Sequence, residues 1–113
     1  MKDCIFCKIV AGEIPAEELY RDDDVVAIVD VNPQAPKHVL VLPREHYATI
    51  ADVTDAGNHA LLGRLFKIAT KLGQDFGKRG FRLVVNTGEE GGQTVDHLHV
   101  HVLGGRQMTW PPG

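Results

Sequence analysis

The chain has 113 residues, 43% hydrophobic and 24% charged, with a net charge of −3. That length fits a single domain spanning 1–113, which buries roughly two thirds of its unfolded surface. The acidic balance excludes a surface built to grip long nucleic acid, though a single nucleotide needs only local donors.

The first apolar stretch is broken by Lys2, Asp3 and Lys8, so it does not read as a signal peptide. No segment is long enough to span a membrane. The expectation is a cytoplasmic protein, in which Cys4 and Cys7 serve as a metal pair or a redox pair and not as a structural disulfide. Cys4 to Ala11 reads as a short helix closed by Gly12 and Pro15. Glu18 to Arg21 and Val25 to Asp30 read as strands joined by the acidic turn Asp22-Asp23-Asp24. Asn32-Pro33-Gln34-Ala35-Pro36 is a rigid loop, because each proline fixes its own φ and pushes its predecessor out of the helical region. Val39 to Leu42 is an apolar strand stopped by Pro43.

A long helix is predicted from about Asp55 to Phe76, with Thr54 as N-cap. Leu61, Leu65, Ile68, Leu72 and Phe76 recur at helical spacing and form one buried face. Gly77 and Gly80 end it, and His59 reads as a solvated surface residue. Arg82 to Asn86 is the next strand, Thr87 to Gln93 a glycine-rich loop, and His97 to Leu103 the last strand. Gly104 to Gly113 is an irregular tail. Neighbouring strands with short connections predict an α+β fold: an antiparallel sheet of about five strands with one long and one short helix.

The last strand carries the chemistry. His97, His99 and His101 alternate with Leu98, Val100 and Val102, so the three imidazoles share one face and the aliphatic residues bury on the other. On an extended strand the Cα atoms of His97 and His101 lie about 13 Å apart. Three imidazoles spread that far converge poorly on one ion with Zn–N bonds of about 2.0–2.1 Å. A division of labour follows. His99 and His101 suit a nucleophile and a proton donor; a solvated polar edge strand is the bland alternative. Gly91-Gly92-Gln93-Thr94-Val95 leads into this row and can turn backbone N–H groups toward an anion, although a plain hairpin turn has the same composition. Cys4 and Cys7 have C-x-x-C spacing without the βαβ context of a thioredoxin-like motif, and a zinc site needs two more ligands, for which His46 and His97 are the candidates. Two unbound thiols are the alternative.

His97-Leu98-His99-Val100-His101-Val102-Leu103 resembles the histidine-triad motif of the HIT superfamily. Its histidine-triad nucleotide-binding (Hint) branch is matched by further segments: Ile5-Phe6-Cys7-Lys8-Ile9, Asp30 to Pro36, Lys37 to Pro43, Arg82 to Asn86, Gly92-Gln93-Thr94, and the tail from Gly104-Gly105-Arg106-Gln107-Met108 through Trp110-Pro111-Pro112-Gly113. Together they span nearly the whole chain in order. The resemblance implies a hydrolase of purine nucleoside phosphoramidates, typically AMP joined to an amine, that works through a covalent nucleotidyl-histidine. It implies His99 as nucleophile, His101 as phosphate ligand and proton donor, and His38 as their support. Asn86, Thr94 and the backbone of Val95 match phosphate-contacting positions, and Asp30 the ribose-binding acid. Ile5, Phe6, Ile9, Ile28 and Val31 match the apolar slot around the base; for Ile9 and Ile28 simple core is the competing reading.

Some bacterial relatives carry a structural zinc, and Cys4, Cys7, His46 and His97 match its ligands. The resemblance further implies AMP- or GMP-type nucleotides as partners and a homodimer whose two sheets join, with Trp110 approaching the partner's pocket. Leu62 and Phe66, apolar outside the main helical stripe, agree with a covered helix face. Thr109 stands where many relatives have another histidine, Thr94 replaces a common serine, and Asp96 puts a charge where an aromatic is frequent. A dinucleoside polyphosphate hydrolase of another HIT branch and a non-catalytic nucleotide-binding module remain the alternatives.

Overall fold

The computed structural model describes residues 3–113. Three helices and five strands follow in the order α1 (Ile5–Val10), β1 (Glu18–Arg21), β2 (Val25–Val29), β3 (Lys37–Pro43), α2 (Ile50–Asp55), α3 (His59–Phe76), β4 (Phe81–Val84) and β5 (Val100–Gly104). The strands form one antiparallel sheet of order β1-β2-β3-β5-β4.

Alternation along the strands sorts two apolar faces. Val25, Ala27, Val39, Val41, Val100 and Val102 bury against Val53 of α2 and Leu61, Leu65, Ile68 and Ala69 of α3. On the opposite face, Val26, Ile28, Leu40 and Leu42 take Phe6 and Ile9 of α1. His101 pairs with Leu40 and His38 with Leu103, so both histidines lie on the α1 face of the sheet. No helix among the described residues is long and apolar enough to cross a membrane.

Several boundaries differ from the sequence reading. The single helix expected from Asp55 is two helices, and Thr54 caps neither: it lies inside α2 and its hydroxyl donates to the Ala51 carbonyl. Gly57, at φ +71°, supplies the left-handed turn that ends α2, and the Asn58 side chain accepts from Leu61 N–H to start α3. α2 has its own start, a capping box of Thr49 and Asp52. Leu61, Leu65 and Ile68 are buried as expected, and Leu72 and Phe76 pack partly against the same core. Leu62 and Phe66 also pack partly against it, so their apolar character is in part accounted for within the chain. His59 is exposed at the first turn of α3.

The last strand begins at Val100, not His97. The main-chain groups just before it are engaged elsewhere: Leu98 N–H donates to the Tyr47 carbonyl at 2.7 Å, and the His97 carbonyl accepts from the His99 ring. Strand β4 ends at Val84 and β2 at Val29, leaving Asn86 and Asp30 just past strand ends.

Candidate active site and metal centre

Five histidines converge on the α1 side of the sheet and divide into two groups. The first is built around His97, which is wholly buried. Its Nε2 lies 2.8 Å from the Pro43 carbonyl, a group that only accepts, so Nε2 carries the proton and Nδ1 presents a lone pair. That Nδ1 sits 3.2 Å from Cys4 Sγ, 3.5 Å from Cys7 Sγ and 3.2 Å from His46 Nδ1, and Cys7 Sγ is 3.3 Å from His46 Nδ1. All four donor atoms lie within 4.8 Å of one another.

Bonds of about 2.0–2.1 Å to nitrogen and 2.3 Å to sulfur make the edges of a tetrahedron about 3.3–3.8 Å, the longest between the two sulfurs. The observed separations fit, so this is a metal-binding cluster compatible with zinc. Its ligands come from four places: the N-cap of α1, the first turn of α1, the segment after β3, and the approach to β5. Burial pushes the Cys7 thiol up, with the Cys4 side chain adding to it. Burial also holds His97 down at about 4, against the pull of the Pro43 carbonyl. A metal held by ligands from such distant parts of the chain would tie α1 onto the sheet.

The second group is His99, His101, His38 and Asp30. His99 Nδ1 lies 2.7 Å from the His97 carbonyl and must donate to it, which leaves Nε2 unprotonated in the neutral ring. The Phe6 ring meets His99 edge-on, with centroids 5.1 Å apart and planes at 86°, and it touches the His97 ring at 5.8 Å. His99 and His101 have centroids 4.9 Å apart.

His38 fixes the far end. Gln34 N–H donates to its Nδ1 at 3.0 Å, so the proton of the neutral ring is on Nε2. That Nε2 lies 2.9 Å from His101 Nδ1 and 3.3 Å from Asp30 Oδ2. His101 Nδ1 therefore accepts, and the His101 proton sits on Nε2. Burial lowers His101 to about 4, with His99 and His38 reinforcing it. Burial also lowers His38, opposed by the Asp30 carboxylate. All three imidazoles are thus set in one tautomer, with the His99 lone pair and the His101 proton each on Nε2. No hydrogen bond among the described residues takes up either atom.

A match to the HIT domain model over residues 11–108 agrees with this arrangement. The chain belongs to the HIT domain family. An uncharacterized HIT-like protein of Synechococcus elongatus is 49% identical over 113 residues, covering 99% of this chain and 98% of the relative. Protein pkiA of Dictyostelium discoideum is 41% identical over 99% of this chain and 91% of its own length. Among solved structures, a HIT family hydrolase from Legionella pneumophila superposes with a TM-score of 0.93 at 50% identity, covering 98% of this chain and all of that one. A HIT family hydrolase from Clostridium thermocellum gives 0.90 at 42% identity, covering 96% of each chain.

The other expected HIT site residues are placed unevenly. Phe6, Ile9 and Ile28 are buried in the α1-face core, Ile5 is half-exposed, and Val31 is 98% exposed, so Val31 packs against nothing among the described residues. Asn86 is half-buried, two residues beyond Val84, the ladder partner of His101. Thr94 is exposed, and Val95 packs against the same apolar cluster as Phe6.

Two features carried no signal as residue types, and two others have a role the sequence did not show. The Gln34 N–H and the Pro43 carbonyl are main-chain groups, yet they set the tautomers of His38 and His97. Gln93, read as part of a phosphate loop, fastens that loop: its amide donates to the Ala48 and Val95 carbonyls at 2.6 and 3.1 Å, and its Oε1 accepts from Gly88 N–H at 3.1 Å. A Cβ at Gly91 would collide with the Thr87 carbonyl, so the loop needs glycine there for space.

Proposed function

We propose that this protein is a hydrolase of purine nucleoside phosphoramidates, acting on AMP- or GMP-type nucleotides joined to an amine. The observation that carries the reading is the paired tautomers: a free lone pair on His99 Nε2 beside a proton on His101 Nε2. His99 Nε2 attacks the α-phosphorus, and the bond from phosphorus to the amine nitrogen breaks. The His101 Nε2 proton passes to the departing nitrogen, which leaves as a neutral amine; the imidazolate left on His101 is balanced by the nucleotidyl-imidazolium cation formed on His99 and takes a proton back in the second step. His38 supports His101 through the Nε2–Nδ1 bond. Water then attacks the nucleotidyl-histidine, returning its proton to His101 and releasing the nucleotide.

Asn86, Thr94 and the Val95 N–H stabilise the non-bridging oxygens during both steps. Asp30 accepts from the ribose hydroxyls. Ile5, Phe6 and Val31 line the base slot, with Ile9 and Ile28 as the core beneath it. The name hydrolase given to the Legionella and Clostridium relatives supports the general reaction type.

Zinc is the metal proposed for Cys4, Cys7, His46 and His97, as one structural ion per chain. It supplies fold stability, and every chemical step belongs to His99 and His101. The enzyme works in the cytoplasm as a two-fold homodimer. The open outer edge of β4 and the 83% exposure of Trp110 support a joined sheet and a tail that reaches the partner's pocket.

The deciding experiment is a kinetic panel of AMP-amides, GMP-amides and dinucleoside polyphosphates, with rapid quench to trap a chain heavier by one nucleotidyl group. Turnover of the amides with that adduct is the expected result. Turnover confined to dinucleoside polyphosphates would move the protein to another branch, and tight AMP binding without any turnover would make it a binding module. Sedimentation at micromolar concentration should give twice the 12.4 kDa chain mass.

A further inference from the structure

We propose that Arg106, on the turn after β5, is a positioning residue for the proton that His101 delivers, acting through the loop between β2 and β3. The inference rests on the phosphoramidase reading and adds a residue to it. Arg106 Nε donates to the Gln34 carbonyl at 2.9 Å, and its Nη1 donates to the Gln107 carbonyl at 3.2 Å. Beside it, Gly105 has φ +90°, and a Cβ there would lie 3.0 Å from the Pro36 side chain. The Gly105-Arg106 turn therefore sits tightly on the Asn32–Pro36 loop and grips it at residue 34.

The same residue, Gln34, gives its N–H to His38 Nδ1 at 3.0 Å. That donor decides a chain of tautomers. With Nδ1 occupied by Gln34, the His38 proton is on Nε2 and points at His101 Nδ1, 2.9 Å away. His101 must then keep its proton on Nε2, the atom that serves the leaving group. If Gln34 N–H withdraws, His38 can carry its proton on Nδ1, and its Nε2 becomes an acceptor. His101 then turns to the Nδ1–H tautomer to meet it, and its Nε2 has no proton to give. Asp30 Oδ2, 3.3 Å from His38 Nε2, favours the productive state from the other side, so loss of the grip shifts the population without abolishing it.

The balance of the affected step is specific. The bond from phosphorus to the amine breaks, and the electron pair on the departing nitrogen takes up the His101 Nε2 proton. An AMP 4-nitrophenyl ester breaks a phosphorus–oxygen bond and releases a stable anion, which needs no proton. A defect in proton positioning therefore appears as a ratio between two leaving groups, which a general loosening of the fold does not move.

The test uses the full chain with Arg106→Met, which keeps side-chain length and removes the donors, and Arg106→Lys, which restores one donor. The expected result is that Arg106→Met lowers kcat on an AMP alkylamide about tenfold more than on the 4-nitrophenyl ester, and that Arg106→Lys recovers most of the ratio. Nitrogen-15 spectra of the imidazoles should show His38 Nδ1 as an unprotonated acceptor in the wild type and as a mixture in Arg106→Met. An unchanged amide-to-ester ratio in a folded Arg106→Met protein overturns the proposal. Should that variant fail to fold, Gln34→Pro deletes the N–H itself and is read by the same ratio. If the wild type turns over neither substrate, the phosphoramidase reading has failed. The His38 spectrum then decides alone: a tautomer that survives Arg106→Met overturns the positioning role, and a mixture upholds it.

Discussion

His97 and His101 are two residues of one motif with opposite fates. Both are held down at about 4, chiefly by burial, so both are neutral imidazoles near neutral pH. His97 has each ring nitrogen engaged, Nε2 on the Pro43 carbonyl and Nδ1 in the cysteine–histidine cluster. Among the described residues His101 has only Nδ1 engaged, by His38, and keeps Nε2 free. The difference teaches that residue type does not assign the role here; the partner of the second nitrogen does. His99 lies between and draws on both ends, with its Nδ1 proton on the His97 carbonyl and its ring against His101.

The sharpest way to break this comparison is to remove the free nitrogens. His99→Ala should lower phosphoramidate turnover by at least about a thousandfold, because no other group offers a lone pair in that place. AMP binding, followed by calorimetry, should remain measurable through ribose and base contacts. His101→Ala should cost about a hundredfold or more on an alkylamide and far less on a 4-nitrophenyl ester. Substantial amide turnover by His99→Ala would make a metal-activated water the leading mechanism.

The opposite end should respond in stability first. Cys7→Ser removes a ligand from the cluster that ties α1 to the sheet, and apparent metal-binding energy is folding energy in such sites. Elemental analysis should find about one zinc per wild-type chain and much less in the variant. The melting temperature should fall by roughly 10 °C or more. A metal-poor variant that melts like the wild type would dismiss the cluster as a stabilising centre.

The two ends were not equally legible in the sequence. The stripe of α3 was readable because Leu61, Leu65 and Ile68 repeat at helical spacing and nothing but packing determines it. Its start was not, since Thr54 offers the same capping chemistry as Asn58 a turn too early, and the break made by Gly57 lies between them. In the histidine row, period-two alternation correctly separated imidazoles from core aliphatics. It overextended the strand to His97, because alternation reports side-chain faces and not ladder bonds, and the main-chain groups near His97 serve Tyr47 and His99 instead. Residue identity marked Cys4, Cys7, His46 and His97 as a possible ligand set. The groups that fix the tautomers, Gln34 N–H and the Pro43 carbonyl, belong to the backbone every residue has, and no pattern could single them out.

Phe6 joins the two ends and gives a smaller, mixed effect. It is buried and meets both His97 and His99 edge-on. Phe6→Ala should cost about 3 kcal/mol in chemical denaturation. It should also weaken metal retention and lower turnover together, where Cys7→Ser acts mainly on metal and stability. A variant with full metal content and full turnover would show that the two groups are independent despite the shared ring.

The smallest expected effect is a pH slope in stability, and its sign follows from the lowered values. An imidazole in the unfolded chain takes its proton near 6.5, whereas His101 in the folded protein does so near 4. Between those values the unfolded state binds more protons, so stability is fully present above pH 6.5 and declines as the pH falls toward 4. His38, also lowered by burial, adds in the same direction. His101→Gln deletes one such group. Melts at constant free metal between pH 7 and 4.5 should show the wild type losing more stability on acidification than His101→Gln, by a few degrees. The comparison isolates the free end of the row, because His97 and its ligands are the same in both proteins. Parallel curves would mean that His101 is solvated in the folded state, and the division between an enclosed His97 and an enclosed but uncommitted His101 would have to be redrawn.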